Sequence, residues 1–166
     1  VTGLPKAKRA CEYLAAGSAS PMETALYLLL CLLRRLGGYG LPRPTPNAKR
    51  KVTSLAGSFT LSRTLVPDLF WPAAMLDVEY DSEEFHASEE ALRRGARRTL
   101  ALRSMDVQVM SVTKDVVYDE RAFEALARLV AKTLRTRGRK PTQAGEHQRN
   151  LLRQTALYGF APEAGA

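Results

Sequence analysis

Residues 66–86, VPDLFWPAAMLDVEYDSEEFH, constrain the fold more than any other stretch of the chain. From Met75 to Asp81 apolar and acidic residues alternate, which predicts a β-strand with Leu76, Val78 and Tyr80 on one face and Asp77, Glu79 and Asp81 on the other. Three carboxylates on one face repel each other, so a fold usually keeps them only beside a metal ion, an arginine or counterions. The alternative is a solvated edge strand with an acidic outer face. The flanking apolar residues favour a central strand.

A second short strand is expected just before this one, with the turn at Pro72-Ala73-Ala74. It carries Asp68, which could join the other carboxylates across the hairpin. His86 follows a few residues after the acidic strand. These residues form the sequence PD, then E-x-D, then a histidine.

This arrangement resembles the PD-(D/E)xK nuclease superfamily, in the branch of small bacterial proteins related to very-short-patch mismatch repair endonucleases. A pattern such as D-L-x-W-P-x-x-x-L-x-V-E-Y-D-x-x-x-x-H is common there, and residues 68–86 follow it closely. The resemblance covers roughly residues 18–117. It implies an α/β restriction-endonuclease-like core, a mixed central sheet flanked by helices. We therefore expect one domain over residues 1–166, with a core at about 18–134, then a basic linker and a last helix.

The resemblance also implies a site for Mg²⁺ or Mn²⁺. Asp68, Glu79 and Asp81 are the expected metal ligands, and His86 is the expected acid/base. Asp81 stands where the superfamily has a lysine that positions or activates water, and an aspartate cannot supply that positive charge. For His86, a merely structural role at the start of the next helix is the alternative.

Glu23 has two possible roles. Ser20-Pro21-Met22-Glu23 is a helix start, with Ser20 as cap, proline at the first helical position and Glu23 as capping-box partner. The apolar helix that follows is expected to run to about Leu36. In the resembled superfamily a glutamate on the first core helix often points at the metal, so Glu23 is also a candidate catalytic residue.

Charge is distributed unevenly along the chain. Residues 1–60 carry a net charge of +7, residues 61–120 carry −5 and residues 121–166 carry +6. An acidic centre between basic flanks suits a metal-dependent enzyme that acts on a polyanion, although a basic surface can also serve solubility alone. The candidate nucleic-acid contacts are Lys49, Arg50, Lys51, Arg94 and Arg98.

Four further elements are expected downstream. A helix over residues 87–104 carries Arg93, Arg94, Arg97 and Arg98, which could neutralise a phosphate or the carboxylates themselves. Asp106 to Thr113 reads as a buried strand, so the helix becomes a crossover. Asp119 caps a helix that runs to about Leu134. The last helix covers residues 142–158, with Leu151 and Leu152 as its anchors.

The first of these helices also departs from the resembled family. Related sequences often carry an aspartate where this chain has Gly95. A glycine in the middle of a helix lowers the stability of the helix by about 1 kcal/mol relative to alanine, and it has no carboxylate to replace that of an aspartate. If the aspartate matters for chemistry or for holding an arginine, this copy is impaired.

The remaining features bound the class of protein. Cys11 and Cys31 lack metal-ligand spacing, which favours reduced thiols and a cytoplasmic location. The longest apolar run, Ala25 to Leu33, is too short to span a membrane. Trp71 is expected to pack in the core, with stacking on a base as the alternative. The chain opens on Val1 and not on Met, so we expect either a piece of a longer protein or an alternative start codon.

Two functions follow from these residues. The first is a metal-dependent DNA endonuclease-like protein that hydrolyses phosphodiester bonds. The second is a catalytically impaired nuclease fold that serves as a DNA-binding or toxin–antitoxin/defence module, which Gly95 and the absent lysine favour. DNA is the expected partner, but phosphate contacts do not distinguish it from RNA. A fused or separate N-terminal or antitoxin partner stays open.

Overall fold

The computed structural model describes residues 20–45, 48–81, 89–136 and 143–159. The chain forms two compact units, the first from Val1–Arg43 with Thr136–Ala166 and the second from Pro44–Arg135. The protein is mixed α/β, as predicted. The expectation of a single domain stays a prediction, because a division into compact units does not distinguish one domain from two.

The elements of the described residues are numbered here in chain order. The helices are α1 (Pro21–Cys31), α2 (Glu89–Arg103), α3 (Lys114–Tyr118), α4 (Glu120–Thr133) and α5 (Gln143–Tyr158). The strands are β1 (Arg50–Lys51), β2 (Thr64–Leu65), β3 (Leu69–Trp71), β4 (Leu76–Asp81) and β5 (Gln108–Thr113). Short 3-10 turns cover Arg34–Leu36, Ala56–Ser58 and Pro72–Ala74. No helix in these ranges combines the length and the apolar character that crossing a bilayer requires.

The first unit is built on α1 and α5, which contact each other. The start of α1 is confirmed: the Ser20 hydroxyl accepts a hydrogen bond from the Glu23 N–H at 3.2 Å, and Pro21 occupies the first turn. Most of the helix is buried, as its apolar sequence indicates, through Ala25, Leu26, Tyr27, Leu29, Leu30 and Cys31. Its hydrophobic residues therefore form the core of this unit.

Helix α1 ends at Cys31, so the expected end near Leu36 is wrong. The chain turns back over the helix instead, and the Leu41 N–H donates to a carbonyl of the last helical turn at 3.0 Å. Gly38 makes this return possible. A Cβ at that position would lie 2.1 Å from the Leu32 carbonyl oxygen, so any side chain would force the backbone apart.

Helix α5 covers nearly the predicted residues but packs through a different face. The predicted anchor Leu151 is exposed, and Leu152 is only partly buried. The buried face consists of Arg149, Arg153, Ala156 and Leu157. The Arg149 guanidinium lies 4.0 Å from the centroid of the Tyr39 ring. Arginine stems supply apolar surface and the guanidinium stacks on an aromatic face, so Arg149 and Arg153 can pack where Leu151 does not.

The second unit contains a three-stranded sheet in the order β3-β4-β5. Strands β3 and β4 are antiparallel, with Phe70 opposite Asp77, and β4 and β5 are parallel, with Glu79 opposite Ser111. Helix α2 connects the two parallel strands, which confirms the predicted crossover. Strand β4 is central, so the alternative of a solvated edge strand is wrong.

A buried cluster supports this sheet. Trp71 is buried on β3, which confirms its expected place in the core. A buried ring is not accessible for stacking on a base. Helix α2 contributes Ala101 and Leu102 to a cluster that also contains Phe70 and Val109. The antiparallel pair of β1 and β2 is separate from the sheet, and it is anchored to the same cluster through Leu65.

The elements after β5 differ from the prediction at one point. Residues 114–118, which lie between the predicted strand and the predicted cap at Asp119, form the short helix α3, and the Asp119 N–H closes it by donating to the Asp115 carbonyl at 2.9 Å. The next cap is confirmed: the Asp119 carboxylate accepts from the Ala122 N–H at 2.7 Å at the start of α4. Asp119 therefore serves two helices: its N–H ends α3, and its carboxylate caps α4.

Candidate functional site

Strands β3 and β4 bring three carboxylates into electrostatic contact. Asp77 and Glu79 lie two residues apart on β4, so their side chains leave the same face of the central strand. Asp68 directly precedes β3, and its Oδ2 accepts a hydrogen bond from the Tyr80 N–H of β4 at 3.0 Å. That bond ties the loop before β3 to the central strand and fixes Asp68 beside the acidic face.

Asp77 is the deepest of the three. Its side chain is fully buried, with 0% of the residue exposed. Burial, followed by the neighbouring Glu79 and Asp68, raises the pKa of Asp77 to about 9, although the charge of Arg98 acts in the opposite direction. Asp77 is therefore a neutral acid at pH 7 unless a cation joins it.

The hydrogen bonding of Asp77 fits the same conclusion. Among the described residues no donor reaches either of its carboxylate oxygens. An ionised Asp77 would consequently be an unpaired buried charge, whereas a protonated Asp77 can donate to the neighbouring Glu79. A buried carboxyl with a strongly raised pKa beside two other acids is a physical mark of a functional site.

Arg98 supplies the positive charge at this cluster. From α2 its Nε and Nη2 donate to Glu79 Oε1 at 3.0 and 2.6 Å, and Nη2 also donates to the Val66 carbonyl at 2.7 Å. Burial disfavours the charged guanidinium, but the hydrogen bonds to Glu79 and the charges of the three acids raise the pKa of Arg98 overall. Both bonds to Glu79 are charge-assisted, and hydrogen bonds of this kind are shorter and stronger than those between neutral groups.

The expected metal ligands are only partly brought together. Asp68 and Glu79 share the cluster with Asp77, whereas Asp81 lies at the far end of β4, opposite Thr113. Within residues 20–45, 48–81, 89–136 and 143–159, no group of three or more Asp, Glu, His or Cys side chains is arranged to hold a metal ion. Asp77, which was predicted on this face but not as a ligand, takes the place expected for Asp81.

The fit to a divalent cation rests on two carboxyls. Mg²⁺ is commonly held by one or two carboxylates, with water and phosphate as its other ligands. Asp77 has no donor among the described residues and lies beside Asp68, so these two fit such a site. Glu79 is already neutralised by Arg98, and a cation would have to compete with that arginine for it.

The two remaining predicted catalytic residues are Glu23 and His86. Glu23 belongs to the first unit, where its backbone N–H takes part in the cap of α1. His86 falls outside the described residues, so its proposed acid/base role stays a prediction. The Ser20 cap is thus confirmed, and both roles of the Glu23 side chain, as capping-box partner and as metal-directed residue, stay predictions.

The predicted nucleic-acid contacts fall into two groups. Lys49 and Lys51 are exposed near or on β1, while Arg50 is partly buried, with its guanidinium 5.4 Å from the Phe70 ring centroid. On α2, Arg94 is exposed and pairs with Glu90 one turn earlier at 2.8 Å. Arg98 instead faces the carboxylates, as one of the two alternatives for this arginine stripe anticipated.

Gly95 lies on the exposed side of α2, and no atom lies within 4 Å of where its Cβ would be. An aspartate would fit there sterically. In this chain Arg98 is held without it, by Glu79 and the Val66 carbonyl.

Sequence reasoning missed the depth of Asp77, and it did not single out Arg98 among the arginines or Glu79 as its partner. The strict alternation of β4 did place Asp77 beside Glu79, and that was the available signal. No family model matches this chain, and no match was found among curated proteins or solved structures.

Proposed function

We propose that the chain is a nuclease-like protein with a restriction-endonuclease-like core, which hydrolyses phosphodiester bonds of DNA with the help of Mg²⁺ or Mn²⁺. The observation that carries the proposal is the buried Asp77 carboxyl, which has no donor among the described residues and lies beside Asp68 and Glu79. A bound cation would balance this excess of acidic groups, because it favours their ionised forms.

In this proposal, the residues of the site have separate roles in binding the cation, binding DNA and moving a proton. Asp68 and Asp77 would hold the cation, which would stabilise negative charge and lower the pKa of water. Arg98 fixes Glu79 through its two-point contact and keeps a positive charge at the edge of the cluster. Lys49 and Lys51 attract the phosphate backbone from an exposed position. His86 is the candidate for moving a proton to or from the reacting water or the leaving oxygen.

The test is a nicking assay on supercoiled plasmid DNA with Mg²⁺ or Mn²⁺. The expected result is metal-dependent nicking that is lost in Asp68→Asn and Asp77→Asn. Asp106→Asn is the matched control. It removes an exposed carboxylate of the same unit at a positive-φ position that asparagine tolerates, so it should keep full activity. Nicking by Asp68→Asn at the normal rate would contradict the proposed site.

A second candidate function is favoured by the ion pair between Arg98 and Glu79. If the positive charge of Arg98 is enough to balance the three acids, the cluster binds no cation, and the fold binds nucleic acid without turnover. Titration with Mn²⁺ followed by calorimetry separates the two candidates. Metal uptake that disappears in Asp77→Asn supports the enzyme, whereas salt-dependent DNA binding with no metal uptake selects the binding module.

A further inference from the structure

The antiparallel pair of β1 and β2 and the loop that joins them form a distinct feature of the second unit, here called the β1–β2 arm (residues 48–65). Arg50 pairs with Leu65 and Lys51 with Thr64. Ala56 and Leu65 are buried in the unit's hydrophobic cluster, and Phe59 packs against it. The arm is therefore anchored at its base and in the middle of its loop.

The arm is strongly basic. No Asp or Glu occurs between Glu23 and Asp68 in the sequence. Within the arm Lys49, Lys51 and Arg63 are exposed. A surface with several cations and no acid of its own attracts polyanions.

The loop of the arm also exposes two leucines. Leu61 has a relative exposure of 104%, and Leu55 is 61% exposed. Leu61 follows Thr60, whose hydroxyl accepts a hydrogen bond from the Ser62 N–H at 3.2 Å, so a local turn holds Leu61 outward. Burial of a leucine side chain contributes about 1.5–3 kcal/mol, and this free energy is still available for binding at Leu61 because its side chain is exposed.

We propose that the β1–β2 arm grips double-stranded DNA, with Lys51 and Arg63 on the phosphates and Leu61 packed into the minor groove. Aliphatic wedges flanked by cations are a recurrent way of contacting that groove. Single strands are usually held by exposed aromatic rings, and the one aromatic residue of the arm, Phe59, is packed against the core. The proposal deepens the proposed function by naming duplex DNA as the partner, and it rests on that function only for its biological purpose.

The test is fluorescence anisotropy with a labelled 30-base-pair duplex over a range of salt, in EDTA, with a nuclease-dead Asp68→Asn background. Lys51→Gln and Arg63→Gln should each make the slope of log affinity against log salt about 0.9 less steep. Leu61→Ser should weaken duplex binding about tenfold and leave that slope unchanged. Because Leu61 is fully exposed, this variant should fold normally.

Matched controls come from α4 of the same unit. Lys132→Gln and Leu129→Ser also change an exposed cation and an exposed leucine, and both should leave binding unchanged. A duplex with 2-aminopurine beside the bound groove should change fluorescence with the parent protein and not with Leu61→Ser.

Three outcomes would overturn the proposal. The first is equal binding by the arm variants and the controls. The second is equal loss of affinity for single-stranded and duplex DNA in Leu61→Ser. The third is Leu61-dependent binding to vesicles of phosphatidylcholine and phosphatidylserine with none to the duplex. Failure of the plasmid nicking assay bears only on the proposed function, since these measurements need no metal and no cleavage.

Discussion

The replacement Asp77→Asn should stabilise the protein at neutral pH in metal-free buffer. The folded chain holds the Asp77 carboxyl with a pKa of about 9, against 3.8 as its ordinary value. At pH values between these two pKa values, the Asp77 carboxyl is ionised in the unfolded chain and protonated in the folded chain. Stability is therefore fullest below about pH 4, and it is lost as the pH rises toward 9. Asparagine has nearly the same shape and no proton to lose.

The magnitude follows from the same two values. Each pKa unit corresponds to about 1.36 kcal/mol, so at pH 7, about three units above 3.8, the retained proton costs at most about 4 kcal/mol. Burying the amide costs about 1–3 kcal/mol where its hydrogen bonds are incomplete. We expect a net gain of roughly 2 kcal/mol at pH 7, and a smaller gain or none at pH 5.

Urea unfolding at several pH values in EDTA measures this gain. Trp71 is the only tryptophan and is buried on β3 of the same unit, so its fluorescence reports the unfolding of the sheet that carries Asp77. Asp106→Asn, on the exposed surface, controls for the general loss of a negative charge. The reasoning is refuted if Asp77→Asn is less stable than the parent protein throughout pH 5–8, or if the difference between the two does not grow with pH.

Three other predictions concern the described residues. Arg98→Gln should destabilise the protein by roughly 2–3 kcal/mol in urea unfolding, since it leaves the partly buried Glu79 without its cation, and Arg98→Lys should recover less than half because it cannot make the two-point contact. Gly95→Ala should raise stability by about 1 kcal/mol, because the position is helical and open, whereas Gly38→Ala should lower the melting temperature because its Cβ would meet the Leu32 carbonyl; equal effects would contradict this account. Burial raises the pKa of the Cys31 thiol to about 12, so in a Cys11→Ser background this thiol should react with a disulfide reagent at pH 8 only on unfolding, and rapid labelling of the native protein would be inconsistent with its burial.

The elements predicted best were those with strong local signals. Alternation predicted β4, the Ser20 and Asp119 caps predicted the starts of α1 and α4, and a helix between two strands predicted the parallel crossover. These signals depend on neighbouring residues alone, so they can be read without knowledge of the fold.

The features that could not be predicted from the sequence depend on contacts between residues that are distant in the chain. Alternation places Asp77, Glu79 and Asp81 on one face but does not say which is deepest, since depth depends on what covers the strand. Five arginines lie on α2, and only the packing of this helix against the sheet directs Arg98 to Glu79. The early end of α1 likewise depends on a chain reversal at Gly38. The position of the carboxyl cluster could thus be predicted, but not its protonation or its arginine.

The central position of β4 has a consequence for motion. Its backbone is paired with β3 on one side and β5 on the other, so its amides can exchange with solvent only when a neighbouring strand detaches. Asp77 and Glu79 therefore lie on a strand whose backbone hydrogen bonds open slowly compared with other parts of residues 44–135. Any adjustment during function must come from rotation of side chains, above all the guanidinium of Arg98, while the backbone beneath them stays in register.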